Sequence, residues 1–298
     1  MNRVPVLPVA VFLAVAFGGA WLVVLPLWMD PAGLSSPLAP FLLPAMMFTP
    51  TLATAAVVFV LRSPAERRRA FLGLWPLGRL GRWFGFLGLA LVVPIAVVVA
   101  AVVISGALGW VDIDLAELSG FREQLDAAVP AGTPLPPVQL LLVLQLVQLP
   151  LGAVINSAFA AGEEIGWRGW LQPALMPLGT WPALLLTGIA WGLWHSPVIL
   201  LGYNFGRPDL TGVLLMVGGC VAWGVFFGWL RLRSDSVWPA VLAHGSLNAV
   251  GGFVLLVAAA GRTPDMALVG PLGVASWMLV AIVMIVVVSR GKMRPSPR

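Results

Sequence analysis

Near-continuous apolar runs, each about as long as a bilayer core is thick, constrain this chain more than any motif does. A helix needs ~20 apolar residues to cross ~30 Å of hydrocarbon at ~1.5 Å per residue. Eight runs meet that length: Pro8–Trp28, Leu38–Leu61, Trp83–Ser105, Val138–Ala161, Pro182–Leu201, Leu210–Leu230, Trp238–Ala258 and Gly270–Val288. Of 298 residues, 60% are hydrophobic and only 10% are charged. A soluble domain carries about a quarter charged residues and has no interior able to hide this much apolar sequence. The expected fold is all-α, a polytopic transmembrane helical bundle of about eight spans forming one membrane domain over residues 1–298. The first run continues through Gly18-Gly19-Ala20, longer than an ordinary signal-peptide core, so it reads as a span. The single cysteine, Cys220, excludes an internal disulfide.

The segments between runs alternate in charge. With the N-terminus inside the cell, the inner segments hold 14 of the 17 basic residues, among them Arg62, Arg67, Arg68, Arg69, Arg79, Arg82, Arg231, Arg233, Arg290, Lys292, Arg294 and Arg298. The outer loops hold only Arg122, Arg207 and Arg262, together with eight of the 12 acids. This positive-inside pattern predicts both termini in the cytoplasm. It accounts for the net charge of +5 without nucleic acid, for which the chain has no soluble surface of clustered bases and aromatics. The expected partners are the lipid bilayer and a substrate, with no nucleic acid. The basic loop 62–82 predicts a helix start at Pro64–Arg69 lying on the inner leaflet, or a plain topology anchor. In the long outer loop, Asp114–Ala128 predicts a short amphipathic helix, as a lid or a spacer.

Polar chemistry concentrates in three places. Glu163-Glu164-Ile165-Gly166-Trp167-Arg168 follows the fourth run, and the chain's two histidines lie in Trp191-Gly192-Leu193-Trp194-His195 and His244-Gly245-Ser246-Leu247-Asn248. Ionisable groups at membrane depth are costly, and their default reading is functional. If the helix broken by Pro150 runs on to about Met176, Glu163 lies about 13 residues, or ~20 Å, from its inner end. His195 lies at a similar depth on the returning span. Residues four apart share a helix face, so Trp191 lies under His195, Glu164 neighbours Arg168, and His244 neighbours Asn248. Glu163 and Glu164 point about 100° apart, so that one can face a cavity while the other pairs with Arg168. His244 is the difficulty: it lies ~9 Å from the inner start of its span. Either that helix begins below the surface, after a buried Arg231–Val237 loop, or the boundary is misplaced.

Two chemistries fit this set. A carboxylate and an imidazole sharing a water can deprotonate it, while a second histidine and an amide stabilise an oxyanion. Alternatively, Glu163, His195 and His244 can bind zinc with a fourth position left for water. A proton-coupled transporter uses the same residue types, and Glu–Arg pairs or lone histidines also serve helix packing alone. The residues leave these readings open.

The motifs Glu163-Glu164-x-x-x-Arg168, Trp191-x-x-x-His195 and His244-x-x-x-Asn248, in that order on successive spans, resemble the signature of the CAAX-protease and bacteriocin-processing (CPBP) family of intramembrane endopeptidases. The resemblance covers about residues 152–252, and departs from the family in having Trp191 where phenylalanine is usual. It implies a peptidase with Glu163 as the base, His195 assisting, His244 and Asn248 holding the oxyanion or His244 joining a metal, and Glu164 with Arg168 as an orienting pair. The two glutamates' roles are interchangeable at this level, and zinc is an alternative cofactor. The lysine-poor, Ala/Val/Leu/Trp-rich composition is of bacterial type, which implies an inner-membrane protein and a peptide substrate with a membrane-associated end. Some such proteins act as immunity or scaffold proteins. The cavity is expected to open to the cytoplasmic side.

Overall fold

The computed structural model describes residues 3–77, 79–130, 132–291 and 293. Of the expectations above, those on Lys292, Arg294 and Arg298, and the first two residues of the chain, lie outside the described residues. The chain is all-helical, with one isolated antiparallel bridge between Ile113 and Ala258 among the described residues. The first half contains α1 (Val6–Met29), α2 (Ala39–Met46), α3 (Thr49–Ala55), α4 (Arg68–Phe71), α5 (Leu80–Ala107), α6 (Ser119–Ala128) and α7 (Val138–Val147). The second half contains α8 (Leu149–Glu164), α9 (Gln172–Leu175), α10 (Thr180–Trp194), α11 (Ser196–Ile199), α12 (Leu210–Ser234), α13 (Trp238–Ala249), α14 (Phe253–Val257), α15 (Met266–Val269) and α16 (Val274–Ser289).

Among the described residues, six helices are long and apolar enough to cross a membrane, or seven if the bent pair Val138–Val147 and Leu149–Leu178 counts as one. The run Pro182–Leu201 is not a continuous helix. It forms α10, which ends at Trp194, and the one-turn α11. Pro197 causes the break, because its ring nitrogen cannot donate to the carbonyl of Leu193. The Ser196 hydroxyl donates to that carbonyl instead, as neighbouring side chains commonly do for broken membrane helices. The 15 residues of α10 rise ~22 Å, short of the ~30 Å core.

The fourth run behaves as Pro150 predicts. The helix bends by 54° between α7 and α8 and then runs on through the two glutamates. From Ile165 to Leu171 it takes the wider π-helical form, which in other proteins is often found at functional sites. Beyond that stretch, α9 carries it to Leu175.

Small residues let the central helices approach closely. Gly245 on α13 sits so close to α8 that a Cβ would meet the backbone nitrogen of Ser157 at 2.7 Å. Gly188 on α10 lies against α12, where a Cβ would meet Cα of Val221 at 2.8 Å. These contacts hold α8 against α13, and α10 against α12, with four tryptophans (Trp167, Trp191, Trp194 and Trp223) fully buried among them.

The basic loop is not a helix on the lipid surface. Among the described residues, its helix before α5 is the single turn α4, and the segment folds inward because its carbonyls satisfy donors at the ends of other helices. Trp170 Nε1 donates to Ser63 O at 2.7 Å, Arg231 Nη2 to Phe71 O at 2.8 Å, Val237 N to Gly73 O at 2.9 Å and Trp238 Nε1 to Leu74 O at 3.2 Å. Gly73 has a φ of +69°, and a Cβ there would lie 2.7 Å from the Arg231 guanidinium carbon. Under this cover, Arg231, Ser234, Ser236 and Val237 are buried. The α12–α13 turn therefore lies below the surface, and this resolves the depth of His244.

In the outer loop, helix α6 starts at Ser119 rather than Asp114. Asp114 instead closes the preceding turn, accepting from Ser119 Oγ at 2.6 Å and from the backbone N–H groups of Glu117 and Ser119. The helix docks on α14, where Gln124 Nε2 donates to Leu255 O at 2.8 Å.

Candidate active site

The six polar residues singled out in the sequence meet around one region, but they do not all face the same way. A cavity of ≈ 480 Å³ is lined by Glu163 from α8, His195 at the end of α10, and His244 and Asn248 from α13. Glu164 and Arg168 are not part of its wall. They lie behind it, fully buried.

The directions follow from the helix geometry. Adjacent glutamates on α8 diverge, so Glu163 turns to the cavity and Glu164 into the protein. Arg168 Nη1 donates to Glu164 Oε1 at 2.8 Å, and His244 Nδ1 approaches the same oxygen at 3.0 Å. An ionised carboxylate only accepts, so His244 donates through Nδ1 and its Nε2 is the nitrogen free of this pair. The Arg168 guanidinium carbon sits 4.3 Å from the Trp191 ring centre and 5.3 Å from that of Phe227, within the range of cation–π attraction. Its Nε and Nη2 have no hydrogen-bond partner among the described residues, so the aromatic faces and Glu164 are what offset its burial.

Trp191 is central to the arrangement. Its indole N–H donates to Glu163 Oε2 at 2.6 Å, while its ring lies 5.2 Å from that of His244 and 5.9 Å from that of His195. The sequence suggests an apolar wall at this position, and the hydrogen bond is an addition that phenylalanine could not make. His195 Nδ1 lies 2.9 Å from the carbonyl of Trp191. A carbonyl only accepts, so Nδ1 carries the proton and the Nε2 of a neutral His195 keeps its lone pair. Trp194, next in the chain, donates from Nε1 to Ala16 O and Thr49 Oγ1, which anchors the end of α10 to α1 and α3.

Asn156, Tyr203 and Asn204 also line the cavity and are absent from the sequence-derived set. Asn156 had a usable signal: it is a polar residue in an apolar run, two helical turns before Glu163 and so on the same face. Tyr203, the chain's single tyrosine, lies in a loop whose path the spacing does not reveal.

The zinc alternative can be tested against these positions. Among the described residues, no group of three His, Cys, Asp or Glu side chains is placed to hold a metal ion. Nδ1 of each histidine is held by a protein acceptor, which is also usual behind a metal-bound Nε2, so it is the placement of the three side chains, not their hydrogen bonds, that does not fit a metal. As placed, Glu163, His195 and His244 do not form a ligand set.

Residues 140–250 match a family model described as type II CAAX prenyl endopeptidase Rce1-like. The match supports the resemblance to the CPBP family. It contains every residue of the three motifs. A curated relative, CAAX prenyl protease 2 of Methanococcus maripaludis, is 28% identical over 95 residues, which is 30% of this chain and 35% of the relative. The chain thus aligns with about a third of the length of the curated relative it matches. The CPBP-type segment includes the π-helical stretch, Trp191 and both histidines, and the apolar helices around it make this a multi-pass membrane protein.

Proposed function

We propose that the protein is an intramembrane endopeptidase of the cytoplasmic membrane. It hydrolyses a peptide bond in a membrane-associated protein or peptide, with water activated by Glu163. The observation that carries this reading is the convergence of Glu163, His195, His244 and Asn248, from three helices, on one largely apolar cavity.

A water between the Glu163 carboxylate and His195 Nε2 gives up a proton as its oxygen attacks the substrate carbonyl carbon. The proton passes to the carboxylate and from there to the departing amine as the C–N bond breaks. The negative charge that develops on the carbonyl oxygen is met by the Asn248 amide and by His244 Nε2–H. His244 can donate there only with both nitrogens protonated. In that form His244 and Arg168 would carry two positive charges opposite the two carboxylates. Glu164 and Arg168 act as positioning residues that orient His244, and Trp191 orients Glu163. No step is assigned to a metal.

The test is cleavage of a library of lipid-anchored peptides by the purified protein. Wild type is expected to cut, and Glu163→Ala and His195→Ala to be inactive while folding normally. Equal activity in all three removes the assignment. Loss of activity on chelation, restored by added zinc, would instead establish the metal alternative. Proton-driven uptake without hydrolysis would identify a transporter.

A further inference from the structure

The residues that line the cavity do not support an opening towards the basic, cytoplasmic loops. Its loop contributions are Tyr203, Asn204 and Phe205 from 202–209, Gly251 and Gly252 beyond α13, and Met266 beside Pro271. All lie at the end of the bundle where the acidic outer loops are. None of the lining residues comes from the basic segments 62–82, 168–178 or 231–237. That end is closed: Trp167, Arg168, Trp170 and Leu171 are buried, and the 63–74 backbone is bonded across the ends of the helices below it.

We infer that the cavity receives its substrate from the side of the membrane opposite the basic loops. The bond cut then lies in an exported peptide, or in an anchored chain's end presented at the outer leaflet, and not in a cytoplasmic C-terminus. The inference rests on the peptidase reading for the nature of the substrate, and on the distribution of charge for the side. With 11 of the described basic residues in the segments at one end, against Arg122, Arg207 and Arg262 in the outer loops, that end stays in the cytoplasm, which leaves the cavity mouth outside. The mouth is a built structure. Arg207 Nη2 meets Asp265 Oδ2 at 2.8 Å, joining the two loops that flank it, and Asp265 Oδ1 accepts the N–H of Ala267 at 3.0 Å, which fixes the start of α15. Tyr203, Phe205 and Met266 give the entrance an apolar lining suited to an acyl-anchored or hydrophobic peptide rather than to a charged soluble one.

Single-cysteine reporters in a Cys220→Ala background test the side directly. A membrane-impermeant maleimide applied to intact cells is expected to label Arg262→Cys in the outer loop and Tyr203→Cys at the mouth. Ala65→Cys is expected to react only after permeabilisation. The reverse pattern overturns the inference, and because Arg262 and Ala65 are exposed surface positions, either can report if Tyr203→Cys fails to fold. The substrate is tested with an acyl-anchored peptide supplied from either face of oriented proteoliposomes. Cleavage is expected only from the face on which Arg262→Cys is labelled. Cleavage only from the opposite face overturns the substrate class. Absence of cleavage even in detergent defeats the peptidase reading while the labelling still decides the side.

Discussion

The indole N–H of Trp191 donates to Oε2 of Glu163 at 2.6 Å, and the same indole ring carries the Arg168 guanidinium on its face. One side chain therefore links the carboxylate in the cavity wall to the ion pair behind it. This arrangement separates the polar side chains on the cavity wall from those packed behind it.

Replacing Trp191 by phenylalanine keeps the ring and removes the donor. A hydrogen bond to a charged group contributes ~1.5–3 kcal/mol, so Trp191→Phe is expected to lower kcat by roughly tenfold to a hundredfold at a nearly unchanged KM. Steady-state kinetics on the peptide identified by the library screen check this. A merely structural role would instead appear as a lowered Tm with kcat unchanged.

The Glu164–Arg168 pair is fully buried, with no exposed side-chain surface on either partner. Removing one partner of such a pair costs about 3–5 kcal/mol, because the other charge is left uncompensated. Arg168→Met and Glu164→Gln are therefore expected to lower the unfolding temperature markedly in detergent. Glu163→Gln is expected to leave it nearly unchanged while abolishing cleavage. Thermal unfolding of the three variants side by side distinguishes the two glutamates. If Glu163→Gln proved the most destabilising, their assignments would be exchanged.

Gly166, inside the π-helical stretch, lies against α3. A Cβ there would stand 2.8 Å from the backbone carbon and oxygen of Pro50, and backbone cannot move aside as a flexible side chain would. Overpacking of this kind costs ~1–3 kcal/mol. Gly166→Ala is expected to lose activity along with stability, since Glu164 and Arg168 flank the position. Gly85→Ala, where nothing lies within 4 Å, is the control and should match wild type in both measurements.

Asp114 sits outside the spans. The Ser119 hydroxyl first, and the Glu117 and Ser119 N–H groups next, hold its carboxyl down to about 2 from the usual 3.8. A depressed carboxyl pKa contributes stability above its unfolded value, and that contribution is lost as pH falls through the folded one. The turn before α6 is expected to stay closed from neutral pH to near 4 and to open between about 4 and 2. Carbon-13 titration of the Asp114 carboxyl should give a midpoint near 2, moving towards 3.8 in Ser119→Ala. A midpoint near 3.8 in wild type would show that the turn is not closed in this way.

The sequence by itself determined the class and picked out the polar residues that gather at the cavity. Runs of ~20 apolar residues have no stable alternative to membrane helices, because every backbone polar group must be satisfied within the segment. Ionisable residues are rare enough in such runs that Glu163, His195 and His244 stand out. Helical spacing also separates the direction of Glu163 from that of Glu164, since neighbouring residues on a helix must diverge. What the sequence could not show depends on contacts between distant segments. Pro197 marks a weak point in the fifth run, but only the packing of α10 against α12 shows that the helix ends there, with His195 at the bend. Trp191 as a donor to Glu163, 28 residues away, depends on the register of α8 against α10. The closed basic end is a further case: charge indicates that 62–82 stays on one side of the membrane, while its inward folding over the α12–α13 turn comes from hydrogen bonds to residues more than 100 positions away. Local periodicity records which face of a helix is apolar. Which helix meets that face, and which end of a cavity is left open, is decided only when the helices pack.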